Sequence, residues 1–324
     1  MRQRIEALPD GRYEFALDID GYIETVHLRV AIDVQGSSVQ VDYSGTSPQT
    51  SVASINCVYN TTYASTIFPF KCALVPEIPN NEGLFRSITV SAPEGSILNT
   101  TFPHPVKTRA KTTNNMNQVI FGALWPILGE HAQAGSGSIW PFTLRGDEEG
   151  YGRFVVDMLP HGGRGALPEL DGMLPVAFPH NSVVTPCEIM ETKAPVLFLR
   201  KELRADSAGA GRRRGGLGQT IAFRHVGRNE MILSIIPDKI VCEPPGLAGG
   251  RPGTLGAVYL NGDRLTRFPP IRFRPGDELE LVLPGAGGFG PPAEREAERI
   301  RADVRLGYVS AAAAVAGYGV DVRD

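Results

Sequence analysis

Cysteine is scarce in this 324-residue chain, and its four residues (Cys57, Cys72, Cys187 and Cys242) stand far apart with no C-x-x-C pair. That spacing offers neither a disulfide framework nor a thiolate metal site. The reading is buried free thiols, with disulfides or metal as the alternative. An excess of either charge is also missing: 32 Lys+Arg stand against 35 Asp+Glu, a formal net charge of −3. Such a balance gives no electrostatic reason to bind nucleic acid or an anionic membrane. No apolar run approaches the ~20 residues of a membrane span. The start, Met1-Arg2-Gln3-Arg4-Ile5-Glu6, is basic but has no apolar stretch behind it. The expectation is a chain with no secretory signal and no membrane partner, in the cytoplasm. There is no G-x-S-x-G nucleophile elbow and no internal repeat. The six histidines (His27, His104, His131, His161, His180, His225) form no His-x-x-x-His pair and no His/Asp group at ligand spacing. No metal site within the chain is therefore expected.

What is present is glycine (37) and proline (26), which together predict many turns and tight backbone geometry. The 42% hydrophobic and 21% charged residues are ordinary for a globular protein, and the length suffices for a sizeable core. Residues 12–20 alternate, with Tyr13, Phe15, Leu17 and Ile19 on one face and Glu14, Asp18 and Asp20 on the other. Asp20-Gly21 follows as a tight-turn pair. Alternation resumes at Val26, Leu28, Val30, Ile32 and Val34, and again at Val39, Val41 and Tyr43. Three such runs with short turns predict an antiparallel meander. Residues 55–75 read as a helix packed on that sheet. Met116, Val119, Ile120, Ala123, Leu124 and Ile127 recur at helical spacing, so a second helix is expected over 114–128, capped by Asn114 or Asn115. Strand patterns return at 231–236, at 257–260 before Asn261-Gly262, and at 278–283. A last helix is expected from Pro292, with Ala297, Ile300 and Val304 inward. Residues 135–186 yield no clear assignment. The fold class is thus α+β, β-rich, with antiparallel meanders and a few packed helices. The composition break near 204 divides it into subregions 1–199 and 200–324.

Three motifs carry candidate chemistry. Gly285-Ala-Gly287-Gly-Phe-Gly290 matches the dinucleotide pattern G-x-G-x-x-G between a strand and a helix. Prolines flank it and no parallel strand with a ribose-binding acid follows, so a glycine-rich corner is the simpler reading. The segment 204–218 places Arg212, Arg213 and Arg214 beside Gly215 and Gly216. Arginines among glycine amides suit a phosphate or carboxylate, which makes Arg212, Arg213, Gly215 and Gly216 candidate anion- or substrate-binding residues. Pairing of the arginines with acids, or a subunit interface, is the alternative. The glycines of this loop are expected to take backbone angles closed to other residues. Glu188-Ile-Met-Glu191 sets two carboxylates three residues apart near His180-Asn181. Paired acids can divide acid and base roles, so Glu188 and Glu191 are the catalytic candidates. Ion pairs to Lys193 or Arg200 are the other possibility.

From Val41-Asp-Tyr-Ser-Gly-Thr-Ser-Pro-Gln49 onward the chain resembles the hydantoinase B family, which joins N-methylhydantoinase, 5-oxoprolinase and the α subunits of acetone and acetophenone carboxylases. The likeness continues through Asn80-Asn-Glu-Gly83, Ala92-Pro-Glu-Gly-Ser96, Gly162-Gly-Arg-Gly-Ala166 and Asp171-Gly172. It is strongest at Pro186-Cys-Glu188-Ile-Met-Glu191, Asp206–Gly218, Pro244-Pro-Gly-Leu-Ala-Gly-Gly250 and Gly287-Gly-Phe-Gly290. Ala208 and Ala286 stand where the family usually shows glycine. The opening Leu8-Pro-Asp-Gly-Arg-Tyr13 resembles the family's middle, so the resemblance implies a C-terminal portion. The N-terminal His/Asp residues that look like the carboxylase metal site have no counterpart here.

The resemblance further implies a hydantoinase A-type, nucleotide-binding partner subunit and a chain or segment supplying the missing N-terminal half. ATP and a divalent metal belong to the full assembly, with no cofactor in this chain. The implied function is a part in ATP-dependent hydrolysis of a small cyclic amide or imide of the hydantoin or 5-oxoproline class, without activity alone. A component of an ATP-dependent ketone carboxylase, or a structural subunit, is the alternative.

Overall fold

The alternating runs become strands, because a period of two puts every second side chain on one face. A computed structural model describes residues 1–176, 178–180, 182 and 184–322. The chain divides into two units: Met1–Ala134 with Leu167–Glu169, and Gly135–Ala166 with Leu170–Asp324.

In the first unit a short helix α1 (Arg2–Glu6) precedes β1 (Gly11–Ile19), β2 (Val26–Gln35) and β3 (Ser38–Asp42), an antiparallel meander as expected. Leu28, Val30, Ile32, Val34, Val39 and Val41 are buried, so the meander carries its own apolar face. The β1–β2 connection spans residues 20–25 rather than the tight turn expected at Asp20-Gly21. A fourth strand, β4 (Ile88–Ser91), pairs with β3 in parallel, which the local pattern does not signal. A parallel partner needs a crossover, and α2 (Tyr59–Leu74) with α3 (Glu82–Phe85) supplies it.

The longest helix, α4 (Ala110–Leu128), packs on β1 and β2, while α2 packs on α4 and meets the sheet at β4, where Tyr59 Oη donates to Val90 O at 2.8 Å. Phe15 of β1 fills the notch left by Gly122, where an added Cβ would stand 2.5 Å from its ring. Asn114 and Asn115 are buried inside α4 and cap nothing; the helix opens earlier, with Arg109 at its N-cap.

The second unit is a pair of sheets sharing one core. Its elements are β5 (Phe142–Glu148), β6 (Gly152–Met158), α5 (Cys187–Glu191), β7 (Val196–Arg204), β8 (Gly218–His225), β9 (Met231–Ile235), β10 (Ala257–Leu260), β11 (Asp263–Arg264), β12 (Ile271–Phe273), β13 (Glu278–Val282), α6 (Ala297–Arg305) and α7 (Ala311–Tyr318). One sheet runs β11-β10-β13-β8-β7 and the other β12-β9-β5-β6, both antiparallel. Phe142 and Phe223 stack with centroids 5.4 Å apart, and Phe273 meets Phe223 edge-on at 5.9 Å. With Leu144, Leu233, Leu279 and Leu281 they form the buried core, each large side chain contributing roughly 2–3 kcal/mol of transfer free energy. Asn261 and Gly262 both take positive φ at the β10–β11 turn, as their pairing predicts.

The break placed at 199/200 falls inside β7. The helix expected from Pro292 begins as one 3-10 turn, Pro292–Glu294, before α6. Ile300 is buried, and Ala297 and Val304 are half-buried. All four cysteines are free thiols, but only Cys57 is buried.

Candidate functional site

The glycine-rich segment after β7 threads through the second unit in contact with other backbone. Gly209 N–H donates to Ala286 O at 2.8 Å, Ala286 N–H to Gly216 O at 2.9 Å, and Gly216 N–H to Arg164 O at 2.9 Å. Arg213 and Phe289 exchange both backbone bonds at 2.9 Å, and Gly287 N–H reaches Gly135 O at 2.8 Å. Segments 135–138, 162–166, 207–218, 244–253 and 284–290 therefore form one hydrogen-bonded stack. No side chain fits between its layers. A Cβ on Gly215 would lie 2.0 Å from Ala286 O, and one on Gly216 would lie 1.9 Å from Met173 O. The expectation that these glycines take angles closed to other residues is corrected: neither has a positive φ, and close approach is what demands glycine. The 285–290 motif is part of this stack, a strand-to-helix corner rather than a nucleotide cradle.

The three arginines separate. Arg214 is buried: its Nε donates to Asp303 Oδ2 at 3.2 Å, its backbone N–H donates to Asp171 Oδ1 at 2.7 Å, and its guanidinium lies over the Tyr308 ring. Arg295 completes the network with two bonds to Asp171 and one to Asp303. Burial alone would raise the Asp171 carboxyl, but the Arg295 hydrogen bonds and charge bring it below its ordinary value. For Arg214 the pairing with acids holds. Arg212 is half-exposed, its Nη1 3.9 Å from Glu294, and Arg213 is half-buried. Gly215 and Gly216 are buried and serve packing.

The two glutamates also part ways. Glu191 Oε1 accepts from the backbone N–H of Phe198 at 2.7 Å, beside the register shift in β7 between Phe198 and Arg200. Glu188, in the first turn of α5, is exposed. Arg200 pairs with Glu280 and Glu202 instead of either. His180 is half-buried, while Asn181 lies outside the described residues.

Sequence reasoning alone does not single out His161, which is buried with its Nε2 3.5 Å from Ser182 Oγ. Burial, then the nearby His180 and Lys201, push its imidazole down to about 4, so it is neutral at pH 7. Asp171, Arg295 and Asp303 escape it as a group because 124 residues separate the first pair. Asp171-Gly172 is legible as a motif, but its partner is not.

Among the described residues no cluster of three or more His, Cys, Asp or Glu stands where it could hold a metal ion. The residues here do not fit the divalent metal that the resemblance implies for the assembly, and no step is derived through it. No helix among the described residues is long and apolar enough to cross a membrane.

Residues 1–292 match the family model "Hydantoinase B/oxoprolinase". A Pseudomonas protein, provisionally named as the B-type subunit of a D-/L-hydantoinase, is 28% identical over all of this chain and 58% of its own length. Among solved structures, acetone carboxylase in its nucleotide-free form superposes with a TM-score of 0.89 at 18% identity, over 98% of this chain and 50% of its own. The ATP-dependent caprolactamase of Pseudomonas jessenii gives 0.85 at 24%, over 98% of this chain and 58% of its own. At those identities the structural likeness establishes the fold alone. The chain spans 58% of the length of that Pseudomonas hydantoinase relative and 53% of a Methanocaldococcus jannaschii protein 32% identical to it.

Proposed function

The chain belongs to the hydantoinase B/oxoprolinase family, and on that premise we propose that it works as the C-terminal portion of a B-type subunit. Its assembly hydrolyses a small cyclic amide or imide at the expense of ATP, with a hydantoinase A-type subunit as nucleotide-binding partner. The observation that carries this reading is the family match over residues 1–292, joined to the Pseudomonas hydantoinase relative that aligns along the whole chain. That relative is named as one subunit of its enzyme, which supports a partner chain.

Within the reading, the glycine-rich stack is a hydrogen-bonded wall that presents Arg212 and Arg213 toward substrate or partner. Glu188 offers a solvent-facing carboxylate from α5 as the acid–base candidate. Glu191 acts as a positioning residue that fixes the start of β7. The likeness to acetone carboxylase supports the fold and adds nothing for ketone carboxylation.

The test is co-expression with an A-type subunit and a chain supplying the other half, followed by measurement of ATP consumption with hydantoin or 5-oxoproline. Turnover should require every component. Turnover that persists without this chain, or without ATP, refutes the reading.

A further inference from the structure

We propose that the first unit carries a knob and a pocket through which two copies of the chain pair. Phe102 is the knob. It is 97% exposed, at the turn over residues 101–104, so it forgoes the burial that makes an aromatic side chain favourable. The turn that carries it is firmly held. Gln49 Oε1 accepts from Thr101 N–H and from Thr100 Oγ1, both at 2.8 Å, and Gln49 Nε2 donates to Thr101 Oγ1 at 3.0 Å. His104 N–H donates to Thr101 O at 3.1 Å, and Asn56 Nδ2 donates to Pro105 O at 2.8 Å. A large apolar side chain on a backbone fixed in advance suits a binding anchor, because little ordering entropy remains to be lost.

Gln49 also lines a pocket of about 320 Å³. Buried Val26, Ala53 and Ile55 form its floor, and Tyr22, Ile23 (78% exposed) and Val52 (66% exposed) form its mouth. The loop at the mouth is folded back so tightly that a Cβ on Gly21 would stand 1.8 Å from the Glu24 carbonyl oxygen. Thr108 N–H donates to Ser54 O at 2.7 Å, so the segment 49–56 is both the wall of the pocket and the support of the knob. The polar side chains of that wall are occupied within the chain: Ser47 Oγ accepts from His27 N–H at 2.9 Å and Thr50 Oγ1 from Val52 N–H at 3.3 Å. What the pocket offers is apolar surface. A cavity of roughly 150 Å³ already admits benzene, so a phenyl ring fits.

The occupant is a second copy because knob and pocket share one surface. A two-fold axis then brings each Phe102 to the other copy's pocket and makes two equal contacts. The charges agree with that arrangement. Glu24 at the pocket and Lys107 just past the turn are both exposed, and neither has an ion-pair partner among the described residues. Two-fold pairing sets the carboxylate of one copy toward the ammonium of the other.

Sedimentation velocity of the full chain tests the pairing. A reversible monomer–dimer equilibrium is expected, with a dissociation constant on the order of 10–100 μM, as befits a small interface. Phe102→Ala and Val52→Lys should each weaken it at least about tenfold. Neither should move the melting temperature of the monomer, since both side chains are exposed. Mixed together, the two variants should associate more strongly than either does alone. The Val52→Lys chain still offers its knob to the intact pocket of the Phe102→Ala chain. A chain that stays monomeric up to about 500 μM, a dimer indifferent to both substitutions, or a mixture no stronger than its parts overturns the proposal. So does a chain that never self-associates but binds a co-expressed hydantoinase A-type chain in a manner lost in Phe102→Ala, which assigns the surface to that partner instead.

Discussion

Arg295 holds Asp171 through two parallel hydrogen bonds, Nη1 to Oδ1 at 2.6 Å and Nη2 to Oδ2 at 3.0 Å, and the same Nη2 reaches Asp303 at 2.7 Å. This fork links the segment before α6 to a motif residue 124 positions earlier, and Arg214 joins from the glycine-rich loop. Burial by itself would lower Arg295, yet Asp171, and after it Asp303, hold its guanidinium above the ordinary value. Removing one partner strands buried charge, which costs more than the pair contributes. Arg295→Met should therefore lose about 3 kcal/mol or more of stability in urea denaturation. Arg295→Lys should fail to restore it, because one ammonium cannot serve both oxygens of Asp171 in a planar fork. Stability within about 0.5 kcal/mol of the parent, the scatter of surface changes, sinks the argument.

Gly215 and Gly216 test whether space or backbone angle governs the stack. Gly215→Ala and Gly216→Ala each push a methyl group to about 2 Å from a backbone oxygen, and neither neighbour can rotate away. Both should express as insoluble or molten protein, a loss at the exceptional end of single substitutions, above ~4 kcal/mol. Gly36→Ala is the contrast: φ is +55° and nothing stands within 4 Å of the added carbon, so the cost should be about 1 kcal/mol. Thermal melts that rank the three alike would remove close approach as the cause.

The same comparison shows what the sequence could convey. The meander β1–β3 was legible because alternation and adjacent pairing are both local. Strand β4 was not, since Ile88–Ser91 pairs with β3 only after a crossover through α2 and α3. Asn114 and Asn115 looked like caps by residue type, but burial inside α4 overrode that preference. The alternation of Phe142 and Leu144, and of Phe154, Val156 and Met158, was present in the unassigned region, hidden among its glycines and prolines. At the candidate site, residue types named the glutamates and arginines. Their roles depended on partners brought from afar, such as Asp303 for Arg214.

His161 gives a pH signature with a defined sign. Its folded value of about 4 lies below the ordinary 6.5, so the unfolded chain binds the extra proton first. The stabilisation is complete above pH 6.5 and is lost as pH falls toward 4, by up to about 3 kcal/mol. His180, also lowered by burial, acts in the same direction. Urea denaturation at several pH values between about 7 and 4.5 should show a shallower loss for His161→Asn than for the parent chain. Parallel curves would mean that His161 titrates alike in the folded and unfolded chain.

Glu188 and Glu191 can be told apart by what each does when no substrate is present. Glu191 accepts from Phe198 N–H beside the irregular step of β7, and Tyr151 Oη donates to the Glu191 carbonyl at 3.0 Å, so the residue fixes where that strand begins. Glu191→Ala leaves a backbone donor without its charged acceptor and should cost roughly 1.5–3 kcal/mol. Glu191→Gln keeps an acceptor oxygen and should recover part of that loss. Glu188 is exposed on α5, so Glu188→Ala should leave the melt within about 0.5 kcal/mol of the parent. In the assembled system the ordering should invert for chemistry: Glu188→Gln depresses kcat with little change in stability, while Glu191→Gln affects turnover only through stability. A Glu191→Gln chain that melts like the parent yet loses kcat would reassign the reacting carboxylate to Glu191.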